Sequence, residues 1–324
     1  MRCALLPSRG DPITLRLVFH YFETVWQDEV DKLYINVNST CEPEVIEYIK
    51  QFTTHPKVVF SYDDHNLDHG GSLTKMFNQG TEEYIAFIED DSFVYRKGEM
   101  DKHFKIIEGG AFDVVGAPRW SCSGELIDRA MEWFELKAFK YLEGGWFWPC
   151  FCFAKRSDLV KTDLNFCGKH WDAGQHIAPL QWTTNVPLDS DTFVWMSMQM
   201  RGLKLRCLEI PTPNDVTNPA FGWVHTTSLS SPMEYLFTDE NDCPVSLRKN
   251  KSAYKANPTY LADTGELEKK IAWMKICLEK FDYSPIKEFR DVYEGAVNRA
   301  IGRFNCNENQ INAFIQTYKG ALGL

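Results

Sequence analysis

The chain has 324 residues, 44% of them hydrophobic and 14% aromatic, with a net charge of −10. Such a composition can bury a sizeable core and excludes a disordered polymer. The acidic balance argues against broad phosphate neutralisation of nucleic acid, although a local basic groove stays open. Ten cysteines are scattered without a C-x-x-C pair, a pattern of reduced, mostly buried thiols that predicts a cytoplasmic setting.

In chain order, Arg2 to Leu6 reads as a short strand and Pro7-Ser8-Arg9-Gly10 as a loop. No charged leader with an apolar stretch precedes the strand, so no signal peptide is predicted. No apolar run approaches the roughly 20 residues of a membrane span. Asp11-Pro12 opens a helix, Asp11 as N-cap and Pro12 at the first helical position. Leu33 to Val37 is a second strand, ending at Asn38. Pro43 starts a helix to about Phe52, and Val58 to Phe60 is a third strand followed by Tyr62-Asp63-Asp64-His65. Gly70-Gly71-Ser72 leads into a short helix ending near Asn78-Gly80. The alternation of strand and helix over residues 1–91 predicts a parallel sheet with right-handed crossovers.

The fourth strand is the most informative segment. Tyr84-Ile85-Ala86-Phe87-Ile88 runs directly into Glu89-Asp90-Asp91. An apolar run without alternation fits a strand buried on both faces. Carboxylates at its C-terminal end sit where open α/β sheets bind ligands. Crowded carboxylates repel unless a cation neutralises them, and hard oxygen donors suit Mg²⁺ or Mn²⁺, which in turn can hold a diphosphate. A solvated acidic turn is the competing explanation.

Beyond residue 91 the pattern loosens. Residues 99–108 read as a helix, Asp113 to Gly116 as a strand and 125–141 as an amphipathic helix. Trp146, Phe147 and Trp148 follow two glycines and precede a strand from Cys150 to Ala154. They suit stacking on a sugar or a base as well as they suit a core. Residues 163–188 read as loop with one helix, 191–201 as a helix and 203–210 as a strand. Cys150, Cys152, Cys167, His170 and His176 lack metal-site spacing. Asp172 is a secondary acid or base candidate in a polar patch. The tail has helical spacing near 264–281, 285–303 and 308–319. From Arg248 onward it carries 13 Lys/Arg and 9 Asp/Glu, hence +4 against −14 for the rest. Solvated helix faces explain that excess, as does a basic wall for an anionic acceptor.

This order of parts resembles the GT-A fold of nucleotide-sugar glycosyltransferases, especially family-2-type inverting enzymes, over roughly residues 1–226. The resemblance implies an α/β fold with a mostly parallel, Rossmann-like sheet flanked by helices. It divides the chain into a catalytic domain over 1–247, with a nucleotide-sugar half (1–91) and an acceptor half (92–247). A helical C-terminal extension follows over 248–324. Pro7, Ser8 and Arg9 take the place of the loop that meets the nucleotide, and Asn36 or Asn38 that of the polar residue after the second strand. Asp63 or Asp64 corresponds to the carboxylate that touches the base, and Gly71 lies in the glycine-containing segment.

Glu89-Asp90-Asp91 stands for the D-x-D motif with Glu in the first position. Asp91 is carried over as metal ligand, Asp90 as a contact to metal or ribose, and Glu89 as a further metal candidate. Gly222-Trp223-Val224-His225 resembles the late segment whose His completes the metal site. Counting back from Gly202, Asp191 falls where inverting members have their catalytic Asp. Ser190 replaces the usual preceding Glu, which leaves Asp189 as a rival, and a helix N-terminus favours both acids in any case.

The implied reaction transfers a sugar from a nucleoside-diphosphate sugar to an acceptor hydroxyl, with Mn²⁺ or Mg²⁺ and with inversion. Lys75 or Arg9 would add charge near the phosphates. The acceptor would be a glycan or a hydroxylated DNA base of the phage type, in the host cytoplasm if the chain is viral. A GT-A-like nucleotidyltransferase is the alternative enzyme, although Pro7-Ser8-Arg9-Gly10 is short and poor in Gly for one. A non-catalytic nucleotide- or sugar-binding module is the alternative without chemistry.

Overall fold

The computed structural model describes residues 1–38, 43–65, 67–118, 147–161, 205–213, 215–226 and 265–324, with four two-residue strands between 170 and 187. The first half alternates as the sequence predicts: β1 (Arg2–Ser8), α1 (Pro12–Tyr21), β2 (Lys32–Asn38), α2 (Pro43–Phe52), β3 (Val58–Asp63), α3 (Asp68–Gln79) and β4 (Tyr84–Ile88). There follow β5 (Ser92–Val94), α4 (Glu99–Glu108), β6 (Val114–Pro118), β7 (Phe147–Lys155) and the short α5 (Arg156–Leu159). β8 (His170–Trp171) pairs with β11 (Val186–Pro187), and β9 (His176–Ile177) with β10 (Leu180–Gln181), both antiparallel. β12 (Cys207–Glu209), β13 (Trp223–His225) and helices α6 (Glu266–Lys280), α7 (Lys287–Arg303) and α8 (Glu308–Leu322) complete the chain. The helices read at 125–141 and 191–201 lie outside the described residues.

Among the described residues, seven strands form one sheet in the order β12-β6-β7-β4-β1-β2-β3. All neighbours are parallel except β7, which runs antiparallel between β4 and β6. The sheet is therefore mixed but mostly parallel. Side chains alternate across it, as a period of two requires. Ala4, Leu6, Ala86 and Ile88 enter one core with α1, α2, α4 and the C-terminal helices. Cys3, Leu5, Ile85 and Phe87 enter the other, beneath Leu73, Met76 and Phe77 of α3. Burial on both faces explains why β4 shows no polar alternation.

Several local expectations are corrected. β1 continues through Pro7 to Ser8 instead of ending at Leu6, because both stay in register with β2 (Pro7 opposite Asn36). β4 partners β1 only from Arg2 to Leu5. Pro7 lies beyond that ladder, where a missing N–H is tolerated. Gly70 and Gly71 do not lead into α3 but lie inside its first turn, since the helix already begins at Asp68. Burial of the Leu73-Met76-Phe77 face supplies the energy to extend it. The 163–188 segment also contributes strand pairs where loop and helix were expected.

The C-terminal helices share the core of the sheet. Trp273 of α6 packs on Phe93 of β5 and on Tyr318 of α8, with ring centroids 5.0 and 5.1 Å apart. Tyr48 Oη of α2 donates to the Asp282 carbonyl at 2.7 Å. The tail thus braces the strand that follows the three acids. Among the described residues, no helix is long and apolar enough to cross a membrane.

Candidate metal and nucleotide site

β1, β2, β3 and β4 are mutually parallel, so their C-terminal ends lie along one edge. Ser8, Asn38, Asp63 and Glu89 are brought to that edge by topology, although they are far apart in sequence. β4 stops at Ile88, and the Ser92 N–H bonds back to the Glu89 carbonyl at 3.1 Å, closing a tight turn over the acids. The turn sends Glu89 and Asp91 one way and Asp90 the other.

His225 reaches Glu89 and Asp91 through a second pairing. β13 lies antiparallel on β5, with His225 opposite Ser92. Trp223 stacks on Phe151 at 4.2 Å and anchors the strand in the core. The Thr226 N–H and Oγ both donate to the Asp91 carbonyl, at 3.0 and 2.9 Å. His225 Nε2 consequently stands 3.3 Å from Glu89 Oε2 and 3.4 Å from Asp91 Oδ1. One ligand atom from each of Glu89, Asp91 and His225 lies within 4.8 Å of the others. Burial disfavours the charged imidazole, but the Cys150 sulfur and Asp91 outweigh it and hold His225 well above its usual range. Burial also pushes the Cys150 thiol up, to about 12, against the opposing pull of His225. Two carboxylates and one imidazole are a donor set that fits Mn²⁺ or Mg²⁺, with the nitrogen favouring Mn²⁺.

Asp90 faces β1. Its Oδ2 accepts from Ser8 Oγ at 2.8 Å and from the Arg9 N–H at 3.3 Å. Burial, reinforced by Asp91, raises its carboxyl to about 6. Gly10 follows at φ +83°, a left-handed backbone that suits glycine, and its N–H bonds to Ser8 Oγ at 3.1 Å. Pro7 and Ser8 are buried and Arg9 is exposed. Asp11 caps α1 by accepting from the Ile13 N–H at 2.8 Å. Its other oxygen is buried with no hydrogen-bond partner among the described residues. Burial, opposed by the Ile13 bond and reinforced by Asp90, lifts Asp11 to about 7.

The remaining residues expected to meet the nucleotide divide. Lys75 is held by Asp63, Nζ lying 2.7 and 2.9 Å from the two carboxylate oxygens, and so sits at the end of β3. Asp64 points to solvent and pairs with His65 at 2.9 Å, whose hydrogen bond lowers the Asp64 carboxyl. Asn38 lies opposite Asp63 in the β2–β3 register, and Gly71 is within α3. Asn36 is buried between Ser72 and Ser61, in a polar chain joining β2, β3 and α3. Asp189, Asp191, Asp172, Cys167 and Trp146 lie outside the described residues. Phe147 and Trp148 lie in β7, and His170 and His176 in short strands. Two further residues border the site: Cys150, which reads in the sequence only as a thiol without metal-site spacing, and His69, which the sequence did not single out. Cys150 is placed there by β7, and His69 of α3 has its Nε2 3.7 Å from Glu89 Oε1. The only sequence signal for His69 was its position immediately before the glycines of α3.

No protein-family model matches the sequence, and no curated protein matches it either. Solved structures do. The mannosyltransferase PcManGT from Pyrobaculum calidifontis, in complex with GDP-Man and Mn²⁺, is 12% identical over 99% of this chain and 85% of its own, with a TM-score of 0.42. S. aureus TarS 1–349 with UDP-GlcNAc is 11% identical over 98% and 85%, TM-score 0.42. Glucosyl-3-phosphoglycerate synthase from Mycobacterium tuberculosis, with phosphoglyceric acid, is 13% identical over 65% and 69%, TM-score 0.46. These solved structures, to which the chain is similar, are GT-A-type nucleotide-sugar glycosyltransferases.

Proposed function

We propose that the chain is a metal-dependent glycosyltransferase that moves a sugar from a nucleoside-diphosphate sugar to an acceptor hydroxyl, with inversion. The observation that carries this reading is the grouping of Glu89, Asp91 and His225 at the C-terminal edge of the parallel strands. A divalent ion held there by Glu89, Asp91 and His225 would stabilise the charge that develops on a departing diphosphate. Ser8 and the Arg9 backbone hold Asp90 on the β1 side of the turn, where it would serve the ribose or the metal. Arg9, exposed at the rim, supplies charge toward the phosphates. Asp63, at the end of β3, would meet the base, and Lys75, tied to it, would join Arg9 in adding charge near the phosphates. Asp191 takes the proton of the attacking hydroxyl, with Asp189 as its rival. The acceptor is a glycan or a hydroxylated nucleic-acid base, and the setting is the cytoplasm, that of the host if the chain is viral. Residues 1–247 form the catalytic domain and 248–324 its helical extension, whose packing behind β5 stiffens the acid turn.

The test is a thermal-shift panel of UDP, GDP, CMP and NAD, each with and without Mn²⁺. One nucleoside diphosphate should raise the melting temperature by roughly 5 °C at about 100 times its Kd, and only with the metal. Stabilisation by NAD, or by a nucleotide equally well without metal, would remove the reading. For the base, Asp191→Asn should slow transfer about 10²-fold while donor binding is kept. The same loss in Asp189→Asn alone would move the role there.

A further inference from the structure

Glu89 stands between two imidazoles. His225 Nε2 faces Oε2 at 3.3 Å, and His69 Nε2, from the first turn of α3, faces Oε1 at 3.7 Å. His69 is not needed for the cluster of three and has no role in the reaction as derived above. Yet its side chain is only 24% exposed, and Nε2 is buried with no hydrogen-bond partner among the described residues. A buried ring nitrogen without a partner costs free energy on the order of 1–3 kcal/mol. The acceptor it faces is an oxygen of Glu89, one of the cluster of three.

We propose that His69 is the positioning residue of Glu89: its Nε2–H holds Oε1, so that Oε2 is turned toward Asp91 and His225. The proposal rests on the reading of this corner as a divalent-cation site. The separation of 3.7 Å exceeds a hydrogen bond by roughly 0.5 Å. Without a cation, Glu89 is also drawn toward His225 on its other side. A cation that takes the carboxylate relieves that competition and lets the His69 bond shorten. Ligating carboxylates are generally held by such outer hydrogen bonds, whose loss weakens metal affinity by about 10- to 100-fold. Placing the donor on α3 also ties the metal corner to the helix that carries Lys75, and through Lys75 to Asp63.

The experiment is a Mn²⁺ titration of the full chain followed by EPR, with electron spin-echo detection of bound imidazole nitrogen. His69→Leu should weaken Mn²⁺ by roughly tenfold or more and broaden the Mn²⁺ spectrum. His69→Gln, which keeps a donor, should recover most of the affinity. The metal-free melting temperature of neither variant should fall below that of the native chain, which separates positioning from a merely structural role. The nitrogen signal should correspond to one imidazole in all three proteins. Unchanged Mn²⁺ affinity in His69→Leu would overturn the proposal while leaving the ion site standing. A second nitrogen lost on mutation would overturn it as well, by making His69 a ligand. A native chain that binds no Mn²⁺ would overturn both the proposal and the transferase reading.

Discussion

Asp91→Asn is expected to lower sugar transfer by about 10³-fold or more and to abolish the Mn²⁺-dependent rise in melting temperature with a nucleoside diphosphate. The amide keeps the shape of the side chain but loses its charge. Electrophilic stabilisation of the leaving group contributes several kcal/mol to a reaction of this kind, and each 1.36 kcal/mol is a factor of ten in rate. The metal-free protein should behave in the opposite sense. Asp91 lies next to Asp90, whose carboxyl it helps to push up to about 6, so its charge works against its neighbour. His225 keeps a partner in Glu89 at 3.3 Å when Asp91 is neutralised. The variant should therefore melt no lower than the native chain without metal, and it should be the native chain alone that gains from Mn²⁺. Calorimetry with and without Mn²⁺ and donor tests both halves. A variant that retains metal-dependent donor binding would remove Asp91 from the ion site.

The second large effect concerns Asp11. Its carboxyl ionises near 3.8 when exposed but only near about 7 in the fold, chiefly through burial. Between those values the unfolded chain has released a proton that the fold still holds. Rising pH then favours the unfolded state, and stability declines from about pH 4 to about pH 7. A shift of some three pH units corresponds to at most roughly 4 kcal/mol. Asp11→Asn removes the ionisation while keeping an N-cap of equal quality. It should match the native chain at pH 4 and exceed it by up to a few kcal/mol at pH 8. Asp90 is displaced in the same direction, so part of the native slope will remain. Urea unfolding across that pH range measures the difference; parallel native and variant curves would show that Asp11 is ionised in the fold at little cost.

Why such a carboxylate is kept follows from its place. Asp11 begins α1 directly after the loop that holds Asp90, and its buried side chain lies under the C-terminal helices. It raises the Cys277 thiol of α6 and the Tyr293 hydroxyl of α7, in each case after burial itself. Asp11 thus lies between the loop that holds Asp90 and the C-terminal helices.

Much of this arrangement was legible in the residues. Local signals are short-range, and they worked where the cause is short-range. Asp11-Pro12 marked the start of α1 because a cap and a proline act on adjacent backbone. The run from Tyr84 to Ile88 marked a strand buried on both faces because an unalternating apolar run has no solvent side. The three tail helices followed from periodicity alone. Errors arose where a distant partner decides. The glycines at 70 and 71 read as a break, yet burial of Leu73, Met76 and Phe77 against the sheet outweighs their helix penalty. Pro7 read as the end of a strand, but pairing with β2 carries the strand past it.

The division is the same at the site. Glu89, Asp91 and His225 could be singled out by residue type and by resemblance, and the placement of three acids at the end of a buried strand required only the chain's own pattern. That Asp90 turns away to Ser8, that Lys75 is held by Asp63, and that His69 and Cys150 border the cluster required the folded chain. Each depends on which strands lie side by side and in what register, and register is set by packing summed over the whole sheet. The sequence by itself determined the chemistry available at the edge of the sheet; tertiary structure decided which groups meet, because contacts between separate strands and helices, 82 residues apart for Ser8 and Asp90, leave no local trace.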